Sequence, residues 1–385
     1  MGVGYDRIYY LKKAFALWPG VVRPVSGTFL AAHYRRRGAT RGAARAALDA
    51  VAGLAFLVWI PWRARNVARR FGLNDDWRRR AIRIARARFA DPQDLALFGV
   101  ETAEAMDGYI RRFEDAGLNR ILNPLGWSGA CALADKVVFA ARCANAALPQ
   151  PETVALAGGG RINVLTDPAG RELVTKPTDG EGGDGVRRLG AFSNAADLIA
   201  RAPSALARGP GMHLIQPWLA PHPGLVDLAL DALATVRVVT ILDETGTPET
   251  VSATFRCASG HGVVVDNMKA GGLIAPVELK SGRLGEAWKG YGGGPCVRHP
   301  ATGAEIAGRT LPDWPAAVAL AERAHAVAFA DYTLVGWDIG LTEDGPVLIE
   351  GNSKPGVLMP QRAARRGLGE GRYGALIAHH LATKA

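Results

Sequence analysis

An α+β fold preceded by a mainly helical, basic N-terminal region is what this sequence predicts, and three observations lead there. Helical patterns rich in Ala, Arg and Leu fill the chain from Met1 to about Arg120. From about Asn123 to Pro217 helices alternate with short strands, and from Trp218 onward strand signals dominate. Elements of both kinds in runs favour α+β over a regular parallel sheet. The expected regions are therefore 1–120, helical and basic, then 121–217 and 218–385 as two mixed lobes. With 385 residues and 48% hydrophobic content the chain can bury real cores.

In the first region Pro24, Pro61 and Pro92 are the expected breaks between helices. The net charge of +10 belongs to this end, because residues 1–120 hold roughly 22 Lys/Arg against 11 Asp/Glu and the remainder is close to neutral. Arg35-Arg36-Arg37, Arg63, Arg65, Arg69-Arg70 and Arg78-Arg79-Arg80 flank an apolar stretch, Val51 to Trp62, that contains Trp59 and Trp62. Arg-rich flanks with tryptophans suit an interfacial membrane segment, since rings sit at headgroup depth while guanidinium groups meet anionic lipid. The run is expected to be too short to span a bilayer, with Asp49 limiting it on one side. A buried helix with a solvated basic face is the alternative. Nucleic acid is a poor fit as a partner, because the aromatics are not interleaved with the basic residues as stacking platforms would be.

The expected elements that follow are a helix over Ala132–Ala147, a strand over Glu172–Lys176, a helix over Ala195–Ala202 and a strand over His213–Pro217. Strands are expected over Val236–Leu242, Thr250–Arg256 and Leu273–Leu279, then a helix over Trp314–Phe329 and a strand pair, Leu334–Ile339 and Val347–Glu350. Cys131, Cys143, Cys257 and Cys296 stand far apart with no CxxC pair, which points to neither zinc nor a disulfide framework and fits a reducing cytosol. No basic start, apolar core and cleavage site follow one another at the N-terminus, so no export signal is expected.

Two motifs carry chemistry. In the first, Lys176-Pro177 ends a strand before a loop with Gly180, Glu181, Gly182, Gly183 and Gly185. Glycines let backbone N–H groups approach phosphate oxygens, and a lysine can reach the same oxygens as a point charge. The loop matches neither the Walker pattern nor GxGxxG, and a surface hairpin turn is its plain alternative. In the second, Gly336-Trp337-Asp338 and Glu350-Gly351-Asn352 flank a turn at Glu343-Asp344-Gly345. Alternation along the hairpin puts Asp338, Glu350 and Asn352 on one face. Oxygen donors so placed suit a hard divalent cation, and Mg2+ needs only one or two carboxylates when phosphate and water complete its shell. Between the motifs Arg237 and Arg256 fall within strands, where each needs an anionic partner: a transferring phosphoryl group, or a structural carboxylate. Gln216-Pro217-Trp218-Leu219 reads as the crossing between lobes, where backbone groups could meet an adenine edge.

In order, Asp135-Lys136 at a helix start, Lys176-Pro177 with its glycine loop, Gln216-Pro217, Arg237, Arg256, Asp338 and Glu350-Gly351-Asn352 resemble the ATP-grasp superfamily. Thr235-Val-Arg237-Val-Val-Thr240, Asp266-Asn267 with Gly271-Gly272, and Gly336-Trp337-Asp338 resemble its sugar-transfer associated group, related to glutamate-ligase-like and tubulin-tyrosine-ligase-like enzymes. The resemblance spans about Asn123 to Gly356. It implies an ATP-grasp fold of two α+β lobes enclosing ATP, with Lys136 and Lys176 on the phosphates and Glu181, Gly182, Gly183 and Gly185 closing over them. Gln216, Pro217, Trp218, Leu219 and Asn267 would hold the nucleotide; Asp338, Glu350 and Asn352 would carry Mg2+; Arg237 and Arg256 would serve catalysis. The implied reaction is phosphorylation of a carboxylate followed by attack of an amine or similar nucleophile on the acyl phosphate. A cell-envelope or exopolysaccharide setting at the inner face of the membrane is expected. A small-molecule kinase, or a membrane or nucleic-acid module with a vestigial ATP site, are the alternatives. The crossing lacks the acidic residue that many relatives place near the ribose, and the helical N-terminus is not the usual small domain that precedes an ATP-grasp fold.

Overall fold

A computed structural model describes residues 28–179, 185–202, 206, 211–262 and 271–384. Pro24, Glu181, Gly182, Gly183, Asp266 and Asn267 lie outside the described residues. The chain forms two compact units. One comprises the described residues up to Pro124 with Leu242–Gly246 and the chain from Gly356; the other comprises Leu125–Ile241 and Thr247–Pro355.

The first unit is helical: α1 (Ala31–Thr40), α2 (Ala43–Phe71), α3 (Asp75–Arg88), α4 (Pro92–Phe98) and α5 (Arg112–Leu122). Asn74 caps α3, its side chain accepting from the Trp77 N–H, and Asp91 caps α4, where Pro92 opens the helix as a proline lacking a donor should. Pro61, by contrast, does not end a helix: α2 runs through it for 29 residues. Phe56, Trp59, Ile60, Ala64 and Val67 form one buried face on both sides of Pro61, and packing that face offsets one lost backbone hydrogen bond. The apolar run Val51–Trp62 lies inside this longer helix, which by length and composition alone could cross a membrane. Asp49 sits inside it, buried and paired with Arg41 and Arg45.

The second unit holds α6 (Lys136–Asn145), α7 (Ala195–Arg201), α8 (Trp314–Ala328) and two antiparallel sheets. The smaller sheet has the order β2-β1-β5-β3-β4, with β1 Ala155–Gly158, β2 Arg161–Val164, β3 Glu172–Pro177, β4 Arg187–Ala191 and β5 His213–Pro217. The larger runs β10-β9-β8-β7-β6-β11-β12, with β6 Thr235–Leu242, β7 Pro248–Cys257, β8 Leu273–Pro276, β9 Ala287–Lys289, β10 Pro295–Cys296, β11 Leu334–Thr342 and β12 Gly345–Asn352. The chain closes in the first unit with α9 (Leu358–Ala364) and α10 (Arg372–Thr383). The helix expected from Ala132 starts four residues later, because the Asp135 carboxylate accepts from the Val137 and Val138 N–H groups and fixes the start at Lys136. The strand expected to reach Leu279 stops at Pro276.

One face of the larger sheet carries Val236, Val238, Phe255, Trp337, Ile339 and Leu348 and packs on α8. Within this core the Trp337 indole donates to Thr240 Oγ1 at 2.8 Å, and Thr240 Oγ1 lies 2.7 Å from His325 Nδ1. His325 Nε2 lies 2.9 Å from the Tyr332 carbonyl. A carbonyl only accepts, so Nε2 carries the proton and Nδ1 accepts from the threonine hydroxyl; burial, which lowers the His325 pKa, keeps the ring neutral. Thr240→Val keeps the shape but strands the indole N–H and Nδ1. It is expected to lower stability by about 2–4 kcal/mol, read by denaturant titration.

Candidate functional site

The opposite face of the same sheet gathers the polar residues. Asp338 on β11 pairs in register with Glu350 on β12 on one side and with Arg237 on β6 on the other, and Asn352 follows two residues after Glu350. Alternation therefore sends Thr235, Arg237, Asp338, Glu350 and Asn352 to one side. Gly351 faces the other way, where a Cβ would stand 2.6 Å from Leu133 Cδ2 and 3.1 Å from Phe139. The core thus requires glycine between the two polar residues. The tight turn at Glu343-Asp344, with Gly345 at φ +102, sets this register.

Asp338 is buried and is gripped by cations. Arg237 donates to both its oxygens, through Nε and through Nη2 at 2.8 Å, and Arg256 Nη2 lies 3.1 Å from Oδ2. Burial alone would raise the Asp338 carboxyl, but Arg237 first and Arg256 second hold it well below the usual carboxylate range. Both arginines are themselves positioned. Arg237 Nη1 donates to the Pro355 carbonyl at 3.2 Å, and Arg256 donates through Nε and Nη2 to Thr235 Oγ1 at 2.9 and 2.7 Å. Glu350 shows the opposite bias: burial and the neighbouring Asp338 raise its pKa, opposed by Arg237 and Lys136.

The lysines come from the smaller sheet and from α6. A register shift between Asp338 and Ile339 leaves Ile349 on β12 without a cross-strand Cα partner. Its carbonyl instead accepts from Lys176 Nζ at 3.4 Å. Lys176 is carried there by β3, paired with Leu214 of β5. Burial brings the Lys176 ammonium down to about 8, with Glu350 opposing and Lys136 reinforcing the shift. Lys136 opens α6 and donates its backbone N–H to the Thr178 carbonyl at 3.2 Å, next to the end of β3. Lys136, Lys176, Arg237, Arg256, Asp338 and Glu350 thus form one electrostatic cluster.

The other sequence-derived candidates are placed as follows. Gly185 has φ +80, and a Cβ there would stand 2.7 Å from Pro177 Cγ, so both conformation and space require glycine. Gln216 is buried on β5, with its side-chain amide donating to the Pro151 carbonyl at 3.2 Å. The Trp218 N–H donates to the Glu172 carbonyl at 2.7 Å, and Leu219 is half-buried. Pro217 ends β5 opposite Leu173. The Asn352 side-chain amide donates to the Gly336 carbonyl at 3.4 Å. Sequence reasoning missed Arg188, whose guanidinium lies 3.6 Å from the Trp218 ring centroid. It also missed the carbonyls of Ile349, at the bulge, and of Pro355, beyond the end of β12, since a main-chain acceptor leaves no residue-type signal.

The donor set fits the chemistry of a magnesium nucleotide. Two carboxylates and an amide share a face, and beside them the buried Lys176 ammonium donates to the Ile349 carbonyl at 3.4 Å, feels the Glu350 charge and has its pKa lowered by burial, a setting that a bound anion would suit. Among the described residues no group of three His, Cys, Asp or Glu side chains could hold a metal, so a cation here would draw on Asn352 and on ligand oxygens.

A family model described as sugar-transfer associated ATP-grasp matches residues 120–372. No curated protein matches the chain. Among solved structures, it is similar to D-alanine–D-alanine ligase from Bacillus anthracis complexed with ATP, at 13% identity over 66% of this chain and 67% of that one, with a TM-score of 0.40. D-cycloserine synthetase aligns at 18% identity over 76% and 82%, TM-score 0.38. L-amino acid ligase from Bacillus licheniformis aligns at 13% identity over 58% of this chain, TM-score 0.34, and the chain spans 40% of that protein's length.

Proposed function

The chain belongs to the sugar-transfer associated ATP-grasp family, and from that premise we propose that it is an ATP- and Mg2+-dependent ligase joining a carboxylate to an amine or similar nucleophile. The observation that supports this most is the cluster of two lysines and two arginines around the Asp338–Glu350 pair. Lys136 and Lys176 would hold the phosphates, Glu181, Gly182, Gly183 and Gly185 would close over them, and Gln216 to Leu219 with Asn267 would hold the nucleoside. Asp338, Glu350 and Asn352 would hold Mg2+, which would supply positive charge to offset that of the phosphates. Arg237 and Arg256, held beside Asp338, would direct guanidinium donors toward the transferring phosphoryl group.

In the proposed reaction a substrate carboxylate oxygen attacks the γ-phosphorus, the bond to the β-bridging oxygen breaks, and ADP leaves. The amine then attacks the acyl carbon, phosphate departs, and the amine proton passes to solvent. Buried walls around Asp338 and Lys176 would keep water from the acyl phosphate. The family's description supports a saccharide setting, so we place the reaction in cell-envelope or exopolysaccharide biosynthesis, in the cytoplasm and peripheral to the inner face of the membrane. Incubation with ATP, Mg2+ and pools of amino acids and sugar acids is expected to release ADP and phosphate, and hydroxylamine is expected to trap an acyl hydroxamate. A stable phosphorylated product would mean a kinase; no turnover with any pool would remove the ligase assignment.

Lys176 gives this proposal a pH signature. With a pKa of about 8 in the free protein, its ammonium is lost as pH rises, and a bound triphosphate would raise that pKa by charge attraction. Nucleotide affinity is therefore expected to be full below pH 8 and to fall about tenfold per pH unit just above it. Lys176→Met is expected to weaken ATP binding about 10- to 100-fold and to flatten this dependence in calorimetric titrations. The fold responds with the opposite sign. Between about 8 and the ordinary value of 10.5 the unfolded chain binds the extra proton, so the Lys176 contribution makes stability rise with pH across that window.

A further inference from the structure

Helix α2 has two unlike faces. Phe56, Trp59 and Ile60 are buried in a core shared with Ala81, Ile84 and Ala85 of α3 and Leu95, Leu97 and Phe98 of α4, and Ala64 and Val67 are buried on the same helix. On the other side Leu48, Val51, Leu54, Val58 and Trp62 are exposed, Val58 at 79% and Trp62 at 56%. Steps of three or four residues put them on one stripe, about 21 Å long from Leu48 to Trp62 at helical rise. The same steps continue to Arg65 and Arg69, both exposed, and among the described residues neither forms an ion pair. Trp62 stands where the apolar stripe meets the basic one.

We propose that α2 is an in-plane anchor whose Leu48–Trp62 stripe rests in the acyl boundary of an anionic lipid surface, with Arg65 and Arg69 on the headgroups. The inference deepens, and rests on, the peripheral membrane location proposed above. An amphipathic helix with tryptophan at the boundary and arginine beside it suits that interface. The alternative of spanning is disfavoured by what packs behind. Helix α3 lies against α2 and carries Arg78, Arg79, Arg80, Arg83, Arg86 and Arg88, so immersing α2 would draw these guanidinium groups into hydrocarbon. A second copy of the chain is disfavoured by charge. The sole acidic residue of α2, Asp49, is buried against Arg41 and Arg45 and can offer nothing to Arg65 and Arg69 of a copy.

The test uses the full chain and vesicles of phosphatidylcholine alone or mixed with phosphatidylglycerol, read by flotation. Wild type is expected to float with the anionic vesicles, to be released by high salt or carbonate, and to bind the neutral vesicles at least tenfold less. Val58→Asp with Leu54→Asp is expected to reduce anionic-vesicle binding more than tenfold, and Arg65→Glu with Arg69→Glu to remove the anionic preference. These side chains are exposed, so unchanged melting curves confirm folded variants. Binding by wild type and both variants alike overturns the assignment of this face and leaves the peripheral location standing. Failure of wild type to bind either vesicle overturns both. Bound protein that resists carbonate and needs detergent would show a spanning helix, and a dimer broken by Val58→Asp without vesicle binding would show a protein interface; either overturns the proposal.

Discussion

Glu350→Gln is expected to lower ATP-dependent turnover by about two to four orders of magnitude while leaving the nucleotide-free protein as stable as wild type. The two halves of this result come from one feature. Burial and the adjacent Asp338 raise the Glu350 pKa, so the free protein gains little from its negative charge. A neutral amide of the same shape keeps the hydrogen bond toward Asp338 and removes a repulsion. Binding of Mg2+ reverses the balance, because the cation needs the carboxylate that the fold disfavours. Steady-state kinetics together with thermal unfolding, with and without nucleotide, check both halves. Equal loss of stability and activity would mean that Glu350 is a structural residue.

Arg237→Met is expected to behave in the contrary way, destabilising the fold by about 3–5 kcal/mol and eliminating turnover. Arg237 supplies two of the hydrogen bonds to a carboxylate buried at 3% exposure, and a third to the Pro355 carbonyl. Methionine fills the space but leaves Asp338 with Arg256 as its remaining guanidinium partner. Breaking one side of a buried ion pair costs far more than the intact pair contributes. The backbone next to it is also tight, since a Cβ at Gly336 would stand 2.5 Å from Pro355 Cβ and 3.1 Å from Arg237 Cδ. Urea denaturation gives the stability change. The double variant Arg237→Met/Asp338→Leu is expected to recover part of the stability, because the unpaired Asp338 charge is gone while Arg256 loses its contact with that carboxylate, and none of the activity.

The β11–β12 hairpin was legible because its signals are local. Alternation, an Asp-Gly turn and oxygen-bearing residues two apart give Asp338, Glu350 and Asn352 one face without any knowledge of the neighbours. Lys176 was legible for the same reason, as a lysine ending a strand before glycines. The closure of Arg237 and Arg256 over Asp338 was not, because it depends on the register of β6 against β11, which is fixed by the burial of Val236, Val238 and Trp337 on the opposite side of the sheet. Strands β1, β2, β4, β9 and β10 escaped because two to five residues such as Ala155-Leu-Ala-Gly158 carry too little alternation to stand out. Pro61 misled for a physical reason: a breaker is a local penalty, and the buried face of α2 outweighs it. Which side of α2 stays exposed depends on where α3 and α4 pack, and no periodicity within α2 reveals that.

The claim on which the rest stands is that Lys136 and Lys176 share one magnesium nucleotide with Asp338, Glu350 and Asn352. Its most direct test is a crystal of the protein soaked with a non-hydrolysable ATP analogue and Mn2+, with data collected at a wavelength where manganese scatters anomalously. The expected map has an anomalous peak about 2.0–2.2 Å from a Glu350 oxygen, with phosphate oxygens within hydrogen-bonding distance of both lysines. A nucleotide bound elsewhere, or Asp338 still closed by both arginines with no metal beside Glu350, would contradict it.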